Sequence, residues 1–335
     1  MSNNGSRRLV KAGLALAAVV WLAAAASAQE RTRRDGGGGG DPAREAQRLH
    51  ESALGYADRG RYEEAVKALK EAVRLDPGNA VAHNDLGFAY HTLGRYGEAA
   101  DSYREAIRLR GDYAVAWNNL GMAHSASGDF KSAVESLRRA LKIRPDYPAA
   151  FYNLGTTFYK MGLSADASEA LSSAVKLDPG NAAAHLSVGI IQTESGDYVR
   201  AVESLKSAAS LSPAASTVYR SLGLAYQKAG RLHDAVEAYR KALSVNRDAE
   251  VYNNLGVAYD LLGDTREAVE SYRQAVILNP NYAEAHYNLA IAHLRAGERD
   301  KALGQYARLK KFAPELAEGL FAALNRDRIL NASRR

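Results

Sequence analysis

The sequence carries one pattern of apolar and polar positions that repeats about every 34 residues. In one copy, Tyr252, Leu255 and Tyr259 fall at helical spacing, which predicts a first helix with one apolar face. A second helix is predicted over Thr265–Leu278, and Pro280 stops it. Alanines hold the same place in successive copies: Ala65, Ala99, Ala133, Ala167, Ala201, Ala235, Ala268 and Ala302. The chain is therefore predicted to contain eight helix pairs in series.

Small residues accompany each copy at two further fixed positions. A glycine lies five residues before each alanine: Gly60, Gly94, Gly128, Gly162, Gly196, Gly230, Gly263 and Gly297. Another small residue lies twelve residues before it: Ala53, Gly87, Gly121, Gly155, Gly189, Gly223, Gly256 and Ala290. The first set suits left-handed caps between the helices. The second set lets the two helices of a pair lie close together, since a large side chain there would force them apart.

One interval is shorter than the others, because Ala235 and Ala268 are 33 residues apart. The missing residue is expected near Val245–Glu250. It means either a local change in the pitch of the superhelix or a harmless loop deletion.

Each helix pair is too small to bury its own apolar face, so stacking of successive pairs must complete the core. The pattern resembles the tetratricopeptide repeat, and the third copy shows it well: Trp117, Leu120, Gly121, Gly128, Ala133, Leu137, Ala140 and Pro145. The resemblance covers residues 46–316 and is to exported bacterial proteins of this type. It implies an all-α fold, a right-handed α-solenoid of eight tetratricopeptide helix pairs. Leucines at helical spacing after Pro314 predict a capping helix and frayed tail over 317–335.

The chain begins with the features of a secretory signal peptide. Three cations precede an apolar run at Leu14–Ala26, and small residues follow up to Ala28. We expect residues 1–28 to be a signal peptide cleaved after Ala28, or an uncleaved N-terminal anchor. Residues 29–45 contain five consecutive glycines and are predicted to be a flexible linker. The expected location is periplasmic or secreted, and a membrane-anchored form facing the periplasm is the alternative.

Composition and charge narrow the function further. The formal charge is +6, but residues 1–28 hold three of the cations and no acid, so the rest of the chain is near +3. We find no concentrated basic stripe, so nucleic acid is not an expected partner. The chain has no cysteine, phosphate-binding loop, nucleophile elbow or zinc-protease helix. Histidines such as His83 and His286 take packing positions of the repeat. We therefore expect no catalytic residue, no metal, no cofactor and no enzyme activity.

The resemblance also predicts where a partner binds, because the first helices of tetratricopeptide repeats line the concave groove. The position before the repeat's leucine points into that groove. The polar residues there are the predicted binding ladder: Asp85, Asn119, Asn153, Asn254 and Asn288. The asparagines resemble the ladder of the superhelical repeats in O-linked N-acetylglucosamine transferases, where amides hold the backbone of an extended peptide. The alternative is that these asparagines are merely solvated.

Three residues beyond the ladder lies a second, mostly apolar stripe. Its predicted groove residues are Phe88, Met122, Ile190 and Leu224. The alternative is that the stripe packs against neighbouring repeats. Replacing Asn119 and Asn153 by alanine should leave the melting temperature nearly unchanged, because substitutions of exposed polar residues have small effects.

The features together predict a non-enzymatic scaffold or adaptor of the bacterial cell envelope, which binds a protein or extended peptide in its groove. A membrane contact is expected only through an uncleaved N-terminal segment, and the oligomeric state stays open. The alternative function is a polysaccharide-handling scaffold in an export or biosynthesis machine. Exposed groove tyrosines, for instance Tyr152, Tyr159 and Tyr287, would favour that alternative.

Overall fold

The computed structural model describes residues 41–332, and these fold into helices with no strand among them. The predicted signal peptide and all but the last five residues of the predicted linker lie outside the described residues. The helices are α1 (Pro42–Asp58), α2 (Tyr62–Leu75), α3 (Ala80–Thr92), α4 (Tyr96–Leu109), α5 (Ala114–Ser127), α6 (Phe130–Ile143), α7 (Pro148–Lys160), α8 (Ser164–Leu177), α9 (Ala182–Glu194), α10 (Tyr198–Leu211), α11 (Ser216–Lys228), α12 (Leu232–Val245), α13 (Ala249–Leu262), α14 (Thr265–Leu278), α15 (Ala283–Arg295), α16 (Arg299–Phe312) and α17 (Pro314–Ala332). The predicted all-α fold of successive helix pairs is confirmed.

The described chain forms two compact units. The first runs to Ala184 and contains α1–α8, and the second begins at His185 and contains α10–α17. Within each unit the two helices of a pair pack against each other, and each second helix packs against the next first helix. Over residues 41–332, no helix combines the length and the apolar character that a membrane span requires.

The loop inside each pair uses the predicted glycine. All eight of these glycines have positive φ angles; Gly128, for example, has φ +88° and Gly263 has φ +86°. Side chains rarely adopt this left-handed region, so glycine closes the turn without strain. The prediction of left-handed caps is confirmed.

The second set of small residues sets how closely the helices of a pair approach. A Cβ atom added to Gly121 would lie 2.6 Å from Cγ of Leu137, and one added to Gly87 would lie 2.6 Å from Cε1 of Tyr103. Neither Leu137 nor Tyr103 is more than 1% exposed, so neither has free space to move into. The close pairing predicted from the sequence is confirmed, and it depends on the missing side chain.

The one-residue deletion lies in a loop. Helix α12 ends at Val245 and α13 begins at Ala249, so three residues connect them where four residues connect α14 to α15. Oδ1 of Asp248 accepts hydrogen bonds from the backbone N–H groups of Glu250 (2.8 Å) and Val251 (3.0 Å). The shorter loop is therefore closed by a strong N-terminal cap.

Both ends of the described repeats differ from the expected boundaries by a few residues. Helix α1 begins at Pro42 rather than at residue 46, because Asp41 caps it through a 3.1 Å bond to the N–H of Ala43 and proline suits its first turn. Helix α17 begins at Pro314 rather than at residue 317. Leu320 and Leu324 of α17 are fully buried against α15 and α16, as predicted for a capping helix.

Candidate peptide-binding surface

The predicted ladder residues lie on first helices that contact one another. In the first unit α3 touches α5 and α5 touches α7, and in the second unit α11 touches α13 and α13 touches α15. Because the repeat period places the same helical position on each of these helices, the ladder side chains come next to their counterparts one repeat away. The ladder position is half-buried at Asp85, Asn119 and Asn153.

The position just before each ladder residue supplies a second polar side chain, and it is buried. Asn84 is 6% exposed and Asn118 is 3% exposed. The ladder residue of one repeat binds this buried residue of the preceding repeat. Nδ2 of Asn119 donates to Oδ1 of Asn84 at 3.0 Å, and Nδ2 of Asn153 donates to Oδ1 of Asn118 at 2.9 Å.

Bonds between sequence neighbours join these contacts into one chain of hydrogen bonds. Nδ2 of Asn118 donates to Oδ1 of Asn119 at 3.1 Å, and Nδ2 of Asn84 donates to Oδ1 of Asp85 at 3.1 Å. The chain therefore runs from Asn153 to Asp85, and each of its four asparagines donates one N–H in the direction of the carboxylate. We call these five residues (Asn153, Asn118, Asn119, Asn84 and Asp85) the amide chain. A chain that ends on a charged acceptor is stabilised by that charge along its length.

The carboxylate end of the amide chain meets α1. Nε2 of His50 lies 2.8 Å from Oδ2 of Asp85, and His50 is 8% exposed. A carboxylate accepts two bonds here, one from the imidazole and one from Asn84. These hydrogen bonds offset the free-energy cost of partly burying the negative charge.

In the second unit, one hydrogen bond between asparagines of successive repeats is present and another is missing. Nδ2 of Asn288 donates to Oδ1 of Asn253 at 2.9 Å. One repeat earlier, Arg220 stands in the place of the accepting asparagine and cannot accept a bond. Arg220 instead donates through Nη1 to Oε2 of Glu250 at 2.9 Å. The carboxamide of Asn254 consequently makes no hydrogen bond to any residue that the structure describes.

The apolar stripe divides between packing and exposure. Ile190 is 8% exposed, so it belongs to the core, whereas Phe88, Met122 and Leu224 are half-buried and keep part of their surface in contact with solvent. Packing explains Ile190, and the other three residues stay candidates for partner contact. Tyr152 is 7% exposed, so it is a core residue and not an accessible groove tyrosine.

Two histidines of the second unit take packing or capping roles. His286 is fully buried, with Nε2 2.9 Å from the carbonyl oxygen of Pro280 and Nδ1 2.6 Å from Oε1 of Gln305. His293 lies 2.6 Å from Oε2 of Glu298. Within residues 41–325, whose side chains are described, no three histidine, aspartate or glutamate side chains are grouped as metal ligands.

Sequence reasoning found the ladder and missed the buried residues that hold it. The signal is visible in hindsight as adjacent polar pairs, Asn118 with Asn119 and Asn253 with Asn254. One member of such a pair lies on the outer part of the helix face and the other lies one step deeper, towards the preceding repeat. The prediction that alanine at positions 119 and 153 leaves the melting temperature unchanged assumed exposed side chains, and this assumption does not hold, because both amides bind buried groups.

Comparison with known proteins agrees with the fold. The family model described as "Cilia and flagella-associated protein 70 C-terminal domain" matches residues 111–324. Models described as "TPR repeat" and "Tetratricopeptide repeat" match residues 54–94 and 80–113. No curated protein matches the sequence.

Solved structures show the same fold at low sequence identity. A tetratricopeptide repeat protein from Parabacteroides merdae ATCC 43184 is 18% identical with a TM-score of 0.54, over 74% of this chain and 99% of that chain. A chain of the APC/C hetero-tetramer Cut9-Hcn1 is 19% identical with a TM-score of 0.56, over 83% of this chain. The present chain spans 55% of the length of that chain. The protein described here therefore belongs to the tetratricopeptide repeat family and, over residues 111–324, to the family of the cilia and flagella-associated protein 70 C-terminal domain.

Proposed function

We propose that this protein is a non-enzymatic scaffold of the bacterial cell envelope whose first helices bind an extended peptide segment of a partner. Tetratricopeptide repeats are typically protein-interaction scaffolds, and the observation that carries the peptide proposal is the half-exposed row of ladder carboxamides. A carboxamide offers both a donor and an acceptor, which match the C=O and N–H groups of an extended main chain.

The amide chain supports this proposal by fixing the ladder side chains. Each carboxamide has two N–H groups, and the bond to the preceding repeat uses one of them. Asn119 and Asn153 thus keep one donor and at least one acceptor lone pair for a partner. Because their rotamers are already fixed, binding a peptide there loses less side-chain entropy than binding to free side chains.

Asn254 offers the clearest test, because its carboxamide makes no hydrogen bond to any described residue. Replacing Leu224, on the neighbouring first helix, with p-benzoylphenylalanine places a photo-crosslinker on the same surface of the second unit. We expect irradiation of living cells to crosslink a partner, and mass spectrometry to map the crosslink to an extended segment. The same group at Val199, which is 74% exposed on second helix α10, is the control position.

The crosslinking yield should depend on the ladder. Asn254→Ala in the Leu224 crosslinking variant should lower the yield several-fold, since each main-chain bond adds about 0.5–1.5 kcal/mol. Asn246→Ala, in the exposed loop before α13, is the matched control and should leave the yield unchanged. Equal yields from all three proteins, or crosslinks no stronger at Leu224 than at Val199, would contradict the proposal.

The envelope location is supported by the features of residues 1–28 and has its own test. Cell fractionation should place the protein outside the cytoplasm, and N-terminal sequencing of that protein should begin at Gln29. Cytoplasmic protein that retains Met1 would refute the location and leave the peptide proposal standing.

A further inference from the structure

The last helix pair and the capping helix leave apolar side chains exposed beside each other. Leu303 on α16 is 40% exposed and Phe321 on α17 is 51% exposed. The ring of Phe321 lies 5.8 Å from the ring of half-buried Tyr306, which packs against the buried residues of α15–α17. Val202 and Val236 hold the position of Leu303 in two earlier repeats, and both are buried. Helix α17 therefore covers the core of the last repeat but leaves this apolar position open.

Helix α16 is also the most basic of the second helices. It holds five basic residues and one acidic residue, a net charge of +4. Arg308, Lys310 and Lys311 are exposed and form no ion pair with any residue that the structure describes. Arg74 and Arg108 hold the position of Lys311 in earlier repeats, and each pairs with a glutamate three residues before it. Arg308 takes the place of that glutamate, so the positive charge of α16 is left unbalanced.

The cations and the apolar side chains share one exposed side of α16. Leu303, Ala307 and Lys310 are spaced four and three residues apart, so they follow one line along the helix. Lys311 lies four residues after Ala307 and borders this line. Because the stem of a lysine is apolar, it can lie along apolar surface while the ammonium group stays in water. We call the following residues the end patch: Leu303, Tyr306, Lys310, Lys311 and Phe321.

Acidic residues near the end patch reduce its charge without cancelling it. Asp300, Glu315 and Glu318 are the acids of residues 299–325, against five basic residues. Glu318 lies three residues before Phe321, so it is the acid next to the patch on α17. Residues 299–335 together hold nine basic and four acidic residues, a net charge of +5, whereas residues 29–298 have a net charge of −2. The positive charge is therefore concentrated at the C-terminal end and does not form a stripe along the repeats.

This combination of groups fits a surface of anionic lipid. Exposed leucine and aromatic side chains bordered by lysine and arginine are typical of segments that lie in a membrane interface. Anionic headgroups attract each lysine or arginine near them. A second copy of the chain fits less well, because three apolar side chains bury far less than the about 1,000 Å² of a specific interface. Two end patches would also face each other with like charges.

We propose that the end patch binds the surface of a membrane that contains anionic lipid. Leu303 and Phe321 enter the interface, and Lys310 and Lys311 lie at the headgroups. The proposal does not depend on peptide binding, because the ladder lies on first helices and the end patch lies on α16 and α17. It gives the protein a membrane contact that is separate from any N-terminal anchor.

The test measures the contact at the patch itself. The chain has no cysteine, so a single spin label can be attached at a chosen site. Ala307→Cys puts the label within the end patch and removes none of its residues, and Ala165→Cys puts it on an exposed site of α8 as the control. The full-length chain is titrated with vesicles of phosphatidylcholine alone, or mixed with an equal amount of phosphatidylglycerol. Electron paramagnetic resonance measures how accessible each label is to oxygen, which is enriched in lipid, and to a water-soluble nickel complex.

We expect the mixed vesicles to raise the oxygen accessibility and lower the nickel accessibility of the label at position 307, and to leave the label at position 165 unchanged. Phosphatidylcholine alone should cause a much smaller change. Lys310→Gln with Lys311→Gln should raise the lipid concentration for half of the change about 10–30-fold, since each lysine near an anionic surface contributes about fivefold.

Helix α6 provides a matched control for the charge. Arg139→Gln with Lys142→Gln removes two exposed cations that form no ion pair with a described residue, and Lys142 holds the repeat position of Lys311. No large apolar side chain of α6 is exposed. This double variant should therefore leave the lipid titration unchanged, although it loses the same charge as the α16 double variant.

Other outcomes would overturn the proposal. An unchanged label at position 307 with mixed vesicles would refute the membrane contact, and so would equal changes at positions 307 and 165. Equal effects of the α6 and α16 double variants would show that net charge and not the end patch causes binding. Spin–spin broadening at position 307 without vesicles would assign the patch to a second copy of the chain. A response to duplex DNA and not to vesicles would assign it to nucleic acid. Each of these results leaves peptide binding by the first helices untouched.

Discussion

Asn119 and Asn254 occupy the same position of the repeat, yet alanine should affect them with opposite sign. Asn119 donates to Asn84 and accepts from Asn118, whereas the carboxamide of Asn254 has no partner among the described residues. The comparison therefore separates the contribution of the amide chain from everything that the two asparagines share as helix residues.

The magnitude follows from what each substitution leaves behind. Asn119→Ala leaves Oδ1 of Asn84 and one N–H of Asn118 without their partners, at residues that are 6% and 3% exposed. An unsatisfied buried polar group costs about 1–3 kcal/mol. Alanine regains up to about 0.7 kcal/mol through its higher helix propensity. We expect Asn119→Ala to destabilise its repeat by about 1–2 kcal/mol, and Asn254→Ala to stabilise by up to about 0.7 kcal/mol.

Hydrogen–deuterium exchange measured on proteolytic peptides is the suitable assay, because repeat proteins open locally and a single unfolding free energy averages over them. Asn119→Ala should speed exchange in α3 and α5 about 5–30-fold, the factor that corresponds to 1–2 kcal/mol. Exchange in α13 should be unchanged or slower for Asn254→Ala. A double-mutant cycle with Asn84→Ala should return a coupling of about 1 kcal/mol for the bond between Asn84 and Asn119.

The reasoning fails if the two alanine variants change exchange in the same direction and by similar factors. That result would mean that the hydrogen bonds between repeats stabilise the fold no more than hydrogen bonds to water would. A coupling near zero in the double-mutant cycle would lead to the same conclusion for the bond itself.

The remaining predictions concern packing and pH. Gly121→Ala should destabilise by about 1–3 kcal/mol in urea unfolding because its Cβ meets Leu137, whereas Gly97→Ala, with open space around it, should stabilise by up to about 1 kcal/mol. Leu320→Ala should cost about 2–5 kcal/mol and should speed hydrogen exchange mainly in α17 and the helices it covers. Burial and the charge of Lys160 lower the pKa of His91 below its usual value of 6.5. The unfolded chain therefore takes up this proton first, and urea midpoints should fall as the pH drops below about 6.5. His91→Gln should make that decline shallower.

The sequence was sufficient to predict the helix pairs because their determinants are local and repeated. Gly128 needs no tertiary context to be identified as a left-handed cap, since its position relative to Ala133 recurs in every copy. The close packing at Gly121 can also be predicted from the sequence, because a small residue at a fixed helix position implies a close neighbour. The neighbour's identity, Leu137, follows from the same period.

The candidate site was less predictable because its bonds join positions 35 residues apart. Asn119 and Asn84 do not occupy equivalent positions of the repeat, so an alignment of the repeats with one another does not pair them. Their pairing depends on the offset between successive first helices, which side-chain packing sets and the sequence period does not. The same offset brings Lys160 to Ser125, and the sequence pattern does not predict that contact either.

The residues of the amide chain can still bind a partner. Their hydrogen bonds distinguish ladder residues whose side chains are fixed from ladder residues whose side chains are not. Asn119 and Asn153 are fixed by buried amides and present their remaining groups at a set spacing, as main-chain recognition requires. The carboxamide of half-buried Asn254 is held by no hydrogen bond to a described residue. Peptide binding by the first unit should therefore tolerate Asn→Ala changes least, because those residues support both the helix stack and the ligand. Binding by the second unit should weaken after Asn254→Ala while the fold keeps its stability. If Asn254→Ala lowers both the crosslinking yield and the protection of α13 from hydrogen exchange, this division is wrong.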